Sequence, residues 1–211
     1  MDKTINMWTI EYNLYMADYL IGNIPVGKDP SSFERSDEYL INFEKLGNDK
    51  NNIKVIKNFL SDEECDLIIS RVKGKDASMV KSHSYDKRKI FSHDLYPNIL
   101  LFGSIVRNKV EELYSIKVKQ ASIPNITQWS ESHKMSAHVD DLGEEKYHIA
   151  TIIYLNDNYV GGEISFITHD LSIKPDRGDL LIFPGNLHYC HEVQEVLEGS
   201  RFTIPIWYSF A

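Results

Sequence analysis

The chain has few of the features that mark secreted, membrane or nucleic-acid-binding proteins. Its 211 residues include only two cysteines, Cys65 and Cys190, which form no CxxC pair. The chain begins without a long apolar run, so we expect no signal peptide, and no stretch reaches the roughly 18 apolar residues of a membrane span. Basic residues are outnumbered, 23 Lys and Arg against 31 Asp and Glu, which gives a formal net charge of −8. These absences predict a cytoplasmic protein with reduced thiols that binds neither membranes nor nucleic acid.

The composition is that of an ordinary folded domain. Hydrophobic residues make up 42% of the chain and charged residues 26%. The length suits one domain with a small appendage. A polar, Asn- and Lys-rich connector at 47–52 is the clearest boundary. We therefore predict an N-terminal extension, residues 1–50, packed on a domain formed by residues 51–211.

Two helices are predicted before a run of short strands. Ser61 and Glu64 have the spacing of a capping box and predict a helix that ends near Gly74. Apolar periodicity predicts a second helix over 97–114. The predicted buried side chains are Leu67, Ile68 and Val72 in the first helix and Ile99, Leu100, Phe102, Ile105, Val106, Val110 and Leu113 in the second. From residue 118 onward, short apolar segments separated by turns predict a mainly β sandwich or barrel with helices packed on one face.

His138 and Asp140 are the first residues with a chemical signature. Residues two apart in an extended strand point to the same side, so this imidazole and this carboxylate can converge. With one more distant histidine, such as His191, they would form the facial triad of non-haem iron enzymes, which leaves coordination positions open. Taken alone, the pair is weak evidence, because a surface His beside an Asp is common.

Arg201 is the second unusual residue. It stands in a strongly apolar segment with Phe202, Ile204 and Ile206, where a buried guanidinium is expensive unless a carboxylate meets it. Its planar fork can bind a carboxylate through two parallel hydrogen bonds, and Thr203 would face the same side. The alternative is a structural ion pair with an Asp or Glu elsewhere in the chain.

Several segments follow one another in an informative order. They are a strand-and-helix entry at 53–65, the His-x-Asp motif at 138–140, a hairpin at 154–157 and 161–166, a Pro-Asp-Arg-Gly-Asp run with its strand at 175–184, and a closing His, Gly and Arg at 191–201. Together they resemble the prolyl 4-hydroxylase-like branch of the iron(II)/2-oxoglutarate-dependent dioxygenases. The resemblance covers about three quarters of the chain, from residue 53 to residue 208.

The resemblance implies a fold, a metal and a co-substrate. The fold would be a double-stranded β-helix (jelly-roll, cupin-like) core with helices on one face. Fe(II) would be held by His138, Asp140 and His191. 2-Oxoglutarate would chelate the iron and place its far carboxylate on Arg201. O2 would take the remaining position, and ascorbate is a candidate reductant.

Three further residues are expected to contact the co-substrate. Tyr154 is a candidate second donor, and Thr203 could add one more bond beside Arg201. Many relatives have a Tyr about nine residues before the first ligand, where this chain has Trp129, whose indole N–H can donate but cannot accept. We therefore include Trp129 among the expected cofactor-binding residues.

The expected function is hydroxylation of a prolyl residue in a peptide or protein, with succinate and CO2 as co-products. The family's halogenating members lack the carboxylate ligand, so the presence of Asp140 favours hydroxylation. The alternatives are a hydroxylase of a free amino acid or small metabolite, a non-catalytic β-helix binding module, and a zinc or manganese enzyme that hydrolyses or isomerises. Oligomeric state stays open.

Some polar segments are assigned more ordinary roles. The Lys-, Ser- and His-rich segment 73–93 is predicted to be a mobile loop that closes over substrate. Asp141, Glu144 and Glu145 are predicted to lie in a solvated loop, because their spacing fits no calcium loop. His188 is predicted to be a loop residue near the mouth of the site.

Overall fold

The computed structural model describes residues 46–82, 85–141 and 147–211 of the chain. These residues belong to one unit, Leu46–Ala211. The predicted extension, residues 1–50, lies almost entirely outside the described residues, so its packing on the core stays a prediction.

Short strands dominate the described residues, with two α-helices near their start. The helices are α1 (Asp62–Val72) and α2 (Ile99–Tyr114). The strands are β1 (Lys54–Ile56), β2 (Ser78–Ser82), β3 (Tyr85–Phe91), β4 (Val118–Gln120), β5 (Ile126–Ser130), β6 (Met135–His138), β7 (Ile149–Tyr154), β8 (Val160–Gly161), β9 (Ile164–Phe166), β10 (Leu171–Ile173), β11 (Leu180–Pro184), β12 (His191–Val193), β13 (Val196–Glu198) and β14 (Ser200–Phe210). The predicted mainly β architecture is confirmed.

Most of the strands join in one antiparallel sheet. Ten strands follow the order β1-β11-β7-β14-β5-β3-β6-β12-β9-β10, β2 and β4 pair with β3 and β14, and β13 pairs separately with β8. Strand β14 is the longest, at 11 residues, and pairs with β4, β5 and β7. Every residue of β11 is buried, as expected for an apolar strand between β1 and β7. The core cluster comprises Ala150, Tyr154, Ile164, Phe166, Leu181, Phe183 and Tyr189.

Helix α1 begins where the sequence predicts. The Ser61 hydroxyl accepts a hydrogen bond from the Glu64 N–H at 3.2 Å, and the Glu64 carboxylate accepts one from the Ser61 N–H at 2.9 Å. Ile68 and Val72 are buried as predicted. The prediction for Leu67 is wrong, because its side chain is 42% exposed. The helix buries only a narrow face, and Leu67 lies outside it.

Helix α2 has more apolar residues than its buried face can take. The buried residues are Ile99, Phe102, Gly103, Val106, Val110 and Tyr114. Leu100, Ile105 and Leu113 are exposed, so their predicted burial is wrong. Gly103 lies on the packed face, where its carbonyl accepts a hydrogen bond from the Tyr208 hydroxyl of β14 at 2.9 Å. Among the described residues, neither helix is long and apolar enough to span a membrane.

The segment 73–93 differs from its prediction. Instead of one loop it contains the hairpin of β2 and β3, and β3 also pairs with β5 and β6. Lys89 lies opposite Gln128, and Phe91 is only 3% exposed. The many Lys, Ser and His residues of this segment led to the prediction of a loop, although the segment contains a strand of the main sheet. His83 and Ser84, between β2 and β3, lie outside the described residues.

Candidate active site

The structure brings His138, Asp140 and His191 together. The register of β6 with β12 places His138 opposite His191, and their ring centroids are 4.3 Å apart. The Asp140 carboxylate lies 3.6 Å from Nε2 of His138 and 3.9 Å from Nε2 of His191. One potential ligand atom from each residue falls within 4.8 Å of the others. Strand β6 ends at His138, so a bend after the strand, and not a longer strand, carries Asp140 to the cluster.

Both imidazoles are held in the tautomer that a metal requires. Nδ1 of His138 lies 2.9 Å from the Ser136 carbonyl, and Nδ1 of His191 lies 2.9 Å from the Tyr189 carbonyl. A carbonyl can only accept a hydrogen bond, so each Nδ1 carries the proton and donates it. The lone pair of each Nε2 is then directed at the space beside Asp140, as in metal-ligating histidines.

The charges of this cluster also suit a cation. Burial and, to a smaller extent, the neighbouring His138 together lower the pKa of His191 to about 4. Burial by itself would raise the pKa of Asp140, but the neighbouring imidazoles of His138 and His191 hold that pKa below the usual value. At neutral pH the cluster therefore offers a neutral His191 and an ionised carboxylate, the protonation states that metal binding needs.

Arg201 is buried without an acid partner among the described residues. Its side chain is 1% exposed, and it forms no ion pair with any described Asp or Glu. The Tyr154 hydroxyl accepts a hydrogen bond from Nη2 at 3.0 Å, while Nε has no hydrogen-bond partner in the part of the chain that the structure describes. Burial would lower the pKa of Arg201, but Tyr154 and Tyr159 keep that pKa above its ordinary value. The predicted alternative, an internal ion pair, is absent from the described part of the chain.

One cavity, of about 50 Å³, joins the triad to Arg201. Its lining residues are Arg88, Thr127, Trp129, Met135, His138, Asp140, Ala150, Thr151, Ile152, Ile164, Phe183, His191, Val193, Arg201, Thr203, Pro205 and Trp207. Trp129 and Thr203, 3% and 2% exposed, are both in this lining, and their contact with the co-substrate stays a prediction. Tyr154 does not line the cavity. Its ring centroid lies 4.9 Å from Cζ of Arg201, so its immediate contact is the guanidinium.

Sequence reasoning missed several residues of this lining. Alternate residues of β14 face the cavity, so Pro205 and Trp207 follow Arg201 and Thr203 on the same side. Thr127 lies opposite Thr203 across β5 and β14. Extending the alternation from Arg201 along β14 would have found Pro205 and Trp207. Thr127 could be predicted as a lining residue only from the pairing of β5 with β14, and the sequence alone does not reveal that pairing.

The residues given ordinary roles have structural contacts outside the cavity. Asp141 is 2% exposed, with its carboxylate 3.8 Å from Nε2 of His148, so its predicted place in a solvated loop is wrong. Nδ1 of His148 accepts the Phe210 N–H at 2.8 Å and joins the end of the chain to this turn. His188 does not line the cavity, and its carbonyl accepts the Thr168 hydroxyl. Glu144 and Glu145 lie outside the described residues.

A comparison with family models agrees with this geometry. Residues 124–209 match the model described as the 2OG-Fe(II) oxygenase superfamily, and this segment contains every predicted site residue. The matched segment is thus similar to a 2OG-Fe(II) oxygenase domain, and the description of that family implies Fe(II), 2-oxoglutarate and O2 as the cofactors of its members. The predicted resemblance is confirmed.

Solved structures of similar fold include three prolyl hydroxylases. The viral collagen prolyl hydroxylase of Paramecium bursaria Chlorella virus-1, in complex with 2OG, has 21% identity and TM-score 0.57, covering 77% of this chain and 98% of that one. A Pseudomonas putida prolyl-4-hydroxylase has 13% identity and TM-score 0.61, covering 76% and 93%. The Trichoplax adhaerens prolyl hydroxylase, in complex with a hypoxia inducible factor peptide, has 16% identity and TM-score 0.64, covering 96% and 93%.

These likenesses establish the fold, a double-stranded β-helix, and confirm that prediction. At such identities they establish nothing about the substrate. No curated protein sequence matches the chain.

Proposed function

We propose that His138, Asp140 and His191 bind Fe(II) and that Arg201 binds the far carboxylate of 2-oxoglutarate. The observation that carries this proposal is a buried guanidinium that no described acid neutralises, in the same cavity as two histidines and a carboxylate. A buried cation of this kind calls for an anion from outside. Hydrolysis by a zinc or manganese enzyme does not require a buried guanidinium of this kind.

The other side chains have supporting roles in this proposal. With O2, bound iron and 2-oxoglutarate would supply an oxidative decarboxylation in which one oxygen atom goes to succinate, the other goes to a substrate C–H bond, and CO2 is released. Tyr154 keeps the guanidinium in place by accepting its N–H. The Thr203 hydroxyl and the Trp129 indole N–H are donors toward the co-substrate. Ascorbate is proposed as the reductant that restores Fe(II), which a requirement for ascorbate over many turnovers would support.

The substrate we propose is a prolyl residue in a peptide or protein. Two features support it: the fold is shared with prolyl hydroxylases, and the cavity beside the triad is lined by the apolar side chains of Phe183 and Trp207. An uncharged ring suits such a lining better than a charged side chain does. A panel of proline-containing peptides and free amino acids, scored by succinate release and gain of one oxygen atom, tests it. Turnover of a free amino acid alone would overturn the prolyl assignment.

The cofactor assignment has its own test, which needs no substrate. Anaerobic protein is titrated with Fe(II) and 2-oxoglutarate, and the weak visible charge-transfer band of the chelate is measured. We expect a band that requires both components and is absent from His191→Ala and Asp140→Ala. If the folded protein binds metal and shows no band, a binding module or another metal chemistry explains the site better.

A further inference from the structure

A second and larger cavity lies on the opposite face of the strands that line the active site. It has a volume of about 550 Å³, and we call it the outer groove. Gln128, Ser200 and Phe202 line the outer groove, whereas their neighbours Thr127, Trp129, Arg201 and Thr203 line the active-site cavity. Successive side chains of a strand point to opposite faces, so β5 and β14 serve both cavities.

The outer groove is basic in an acidic protein. Its charged lining residues are Lys73, Lys75, Lys89, Arg177 and Asp66. Arg177 is already paired with Asp66, at 2.8 Å between Nη2 and Oδ1. None of the three lysines forms an ion pair with an Asp or Glu in the described part of the chain. Among the described residues, the groove therefore has three ammonium groups that no acid compensates, although the whole chain has a formal net charge of −8.

The end of helix α1 explains only part of this charge. Lys73 and Lys75 follow the C-terminus of α1, where the helix dipole favours cations. The dipole of α1 does not explain the position of Lys89 in the groove. It lies in the middle of the sheet, on β3 opposite Gln128, and is half-buried. A ligand that contacts all three lysines would account for Lys89 as well.

The rest of the groove indicates what kind of ligand fits. Apolar lining comes from Ile69, Val72, Phe91 and Phe202. The neutral polar groups are satisfied among themselves: the Gln128 amide donates to the Ser200 hydroxyl at 3.0 Å, and the Asn156 amide donates to the Asn158 side chain at 2.7 Å. Only the ammonium groups and the apolar surface are left for a ligand. A volume of about 550 Å³ lies within the range of ligand sites, roughly 300–1,000 Å³.

We propose that the outer groove binds a short acidic segment of a partner protein. Carboxylates of the segment would contact Lys73, Lys75 and Lys89, and an apolar side chain between them would pack on Phe202. A nucleic acid fits less well, because a long polyanion meets the net negative charge of the whole protein. A short segment meets mainly the local charge, since screening limits charge effects to about 8 Å at physiological salt. This proposal does not depend on the assignment of the iron site.

Fluorescence anisotropy with the full-length chain tests the proposal. The probe is a labelled short peptide that alternates Glu with Leu, and the comparison peptide has Gln in place of each Glu. We expect the Glu peptide to bind and to weaken as salt rises, and the Gln peptide to bind on the order of tenfold less tightly. No binding of the Glu peptide at low salt would overturn the proposal. Inorganic triphosphate that binds while the Glu peptide does not would also overturn it.

Charge-reversal variants locate the binding. Lys89→Glu and Lys75→Glu should each weaken the Glu peptide on the order of tenfold. Lys75 is exposed just after α1, so its variant keeps the test valid if Lys89→Glu does not fold. Lys109→Glu is the matched control, because Lys109 pairs with Glu112 on α2 and does not line the groove. Equal weakening by all three variants would mean that overall charge, and not this groove, attracts the peptide.

Discussion

Replacing Arg201 tests the central feature of the site. In Arg201→Ala the cavity loses its buried cation and, in our assignment, two charge-assisted hydrogen bonds to the co-substrate. Each such bond contributes about 1.5–3 kcal/mol, and truncating one partner of a buried charged pair costs about 2–5 kcal/mol. A loss of about 3–5 kcal/mol corresponds to roughly 150- to 5,000-fold weaker binding of 2-oxoglutarate. Arg201→Lys keeps the charge but not the planar fork, so we expect an intermediate loss of about tenfold or more.

Two measurements separate this effect from misfolding. The first is the anaerobic titration of Fe(II)-loaded protein with 2-oxoglutarate, in which Arg201→Ala should still bind metal. The second is thermal unfolding with and without the co-substrate. A ligand at about 100 times its Kd stabilises by about 2.7 kcal/mol, which raises Tm by roughly 5–10 °C for a chain of this size. The wild-type protein should show this rise in Tm with 2-oxoglutarate, and Arg201→Ala should not. Arg107→Ala, on the exposed side of α2, should behave like the original protein.

An unchanged affinity would refute the reasoning. If Arg201→Ala folds, binds Fe(II) and still binds 2-oxoglutarate with the original Kd, the far carboxylate rests elsewhere. The buried cation at Arg201 would then need another explanation. Loss of metal binding together with loss of co-substrate binding would point to collapse of the cavity, which the Tm of the ligand-free variant would reveal.

The other predictions concern protonation, metal affinity and backbone geometry. The pKa of His191 is about 4 in the fold, against 6.5 for an ordinary His. Between these two pH values the unfolded chain binds a proton at His191 that the folded chain does not. The free energy of unfolding of the metal-free protein, measured with urea, should therefore fall by up to about 3 kcal/mol as pH falls from 6.5 to 4. A free energy of unfolding that does not change with pH would contradict this. Trp207→Phe should weaken Fe(II) binding about 10- to 100-fold in a metal titration, because its buried indole N–H lies beside Asp140 and helps to lower the pKa of that carboxyl; unchanged metal affinity contradicts that role. Gly178→Ala should destabilise by about 3 kcal/mol or more, since φ is +80° and a Cβ would lie 2.3 Å from the Leu60 carbonyl oxygen. At Gly74, φ is +72° and a Cβ would have no described heavy atom within 4 Å, so Gly74→Ala should lower the free energy of unfolding by only about 1–2 kcal/mol. Equal losses of stability in Gly178→Ala and Gly74→Ala would contradict the steric argument.

The metal-binding residues and Arg201 could be predicted from the sequence because two of them are close together in the chain and one is an unusual residue for its surroundings. His138 and Asp140 are two residues apart, and Arg201 is conspicuous in an apolar segment. The strand register that places His191 opposite His138 brings the third residue to them. The capping box at Ser61 was equally readable, since it depends only on residues three apart.

Other features depend on contacts between distant segments, which periodicity does not contain. Leu100 and Ile105 fit a helical stripe, yet both are exposed, because the face of α2 that packs on the sheet, where Gly103 meets Tyr208, lies elsewhere on the helix. The hairpin within 73–93 is held by pairing of β3 with β5 and β6, and its own composition favours a loop. Tyr154 was expected beside the co-substrate, but its position relative to Arg201 follows from the pairing of β7 with β14.

The two-sided use of β14 has a consequence for how such a protein can change over generations. Arg201 and Thr203 face the cavity that contains the triad, while Ser200 and Phe202 face the outer groove. Point substitutions can therefore alter partner choice without touching the reaction, or the reverse. Insertion or deletion of one residue in this strand would exchange the two sets of side chains and damage both surfaces together. Length variation is thus expected in the turns around β14, and neutral drift within it should proceed by substitution alone.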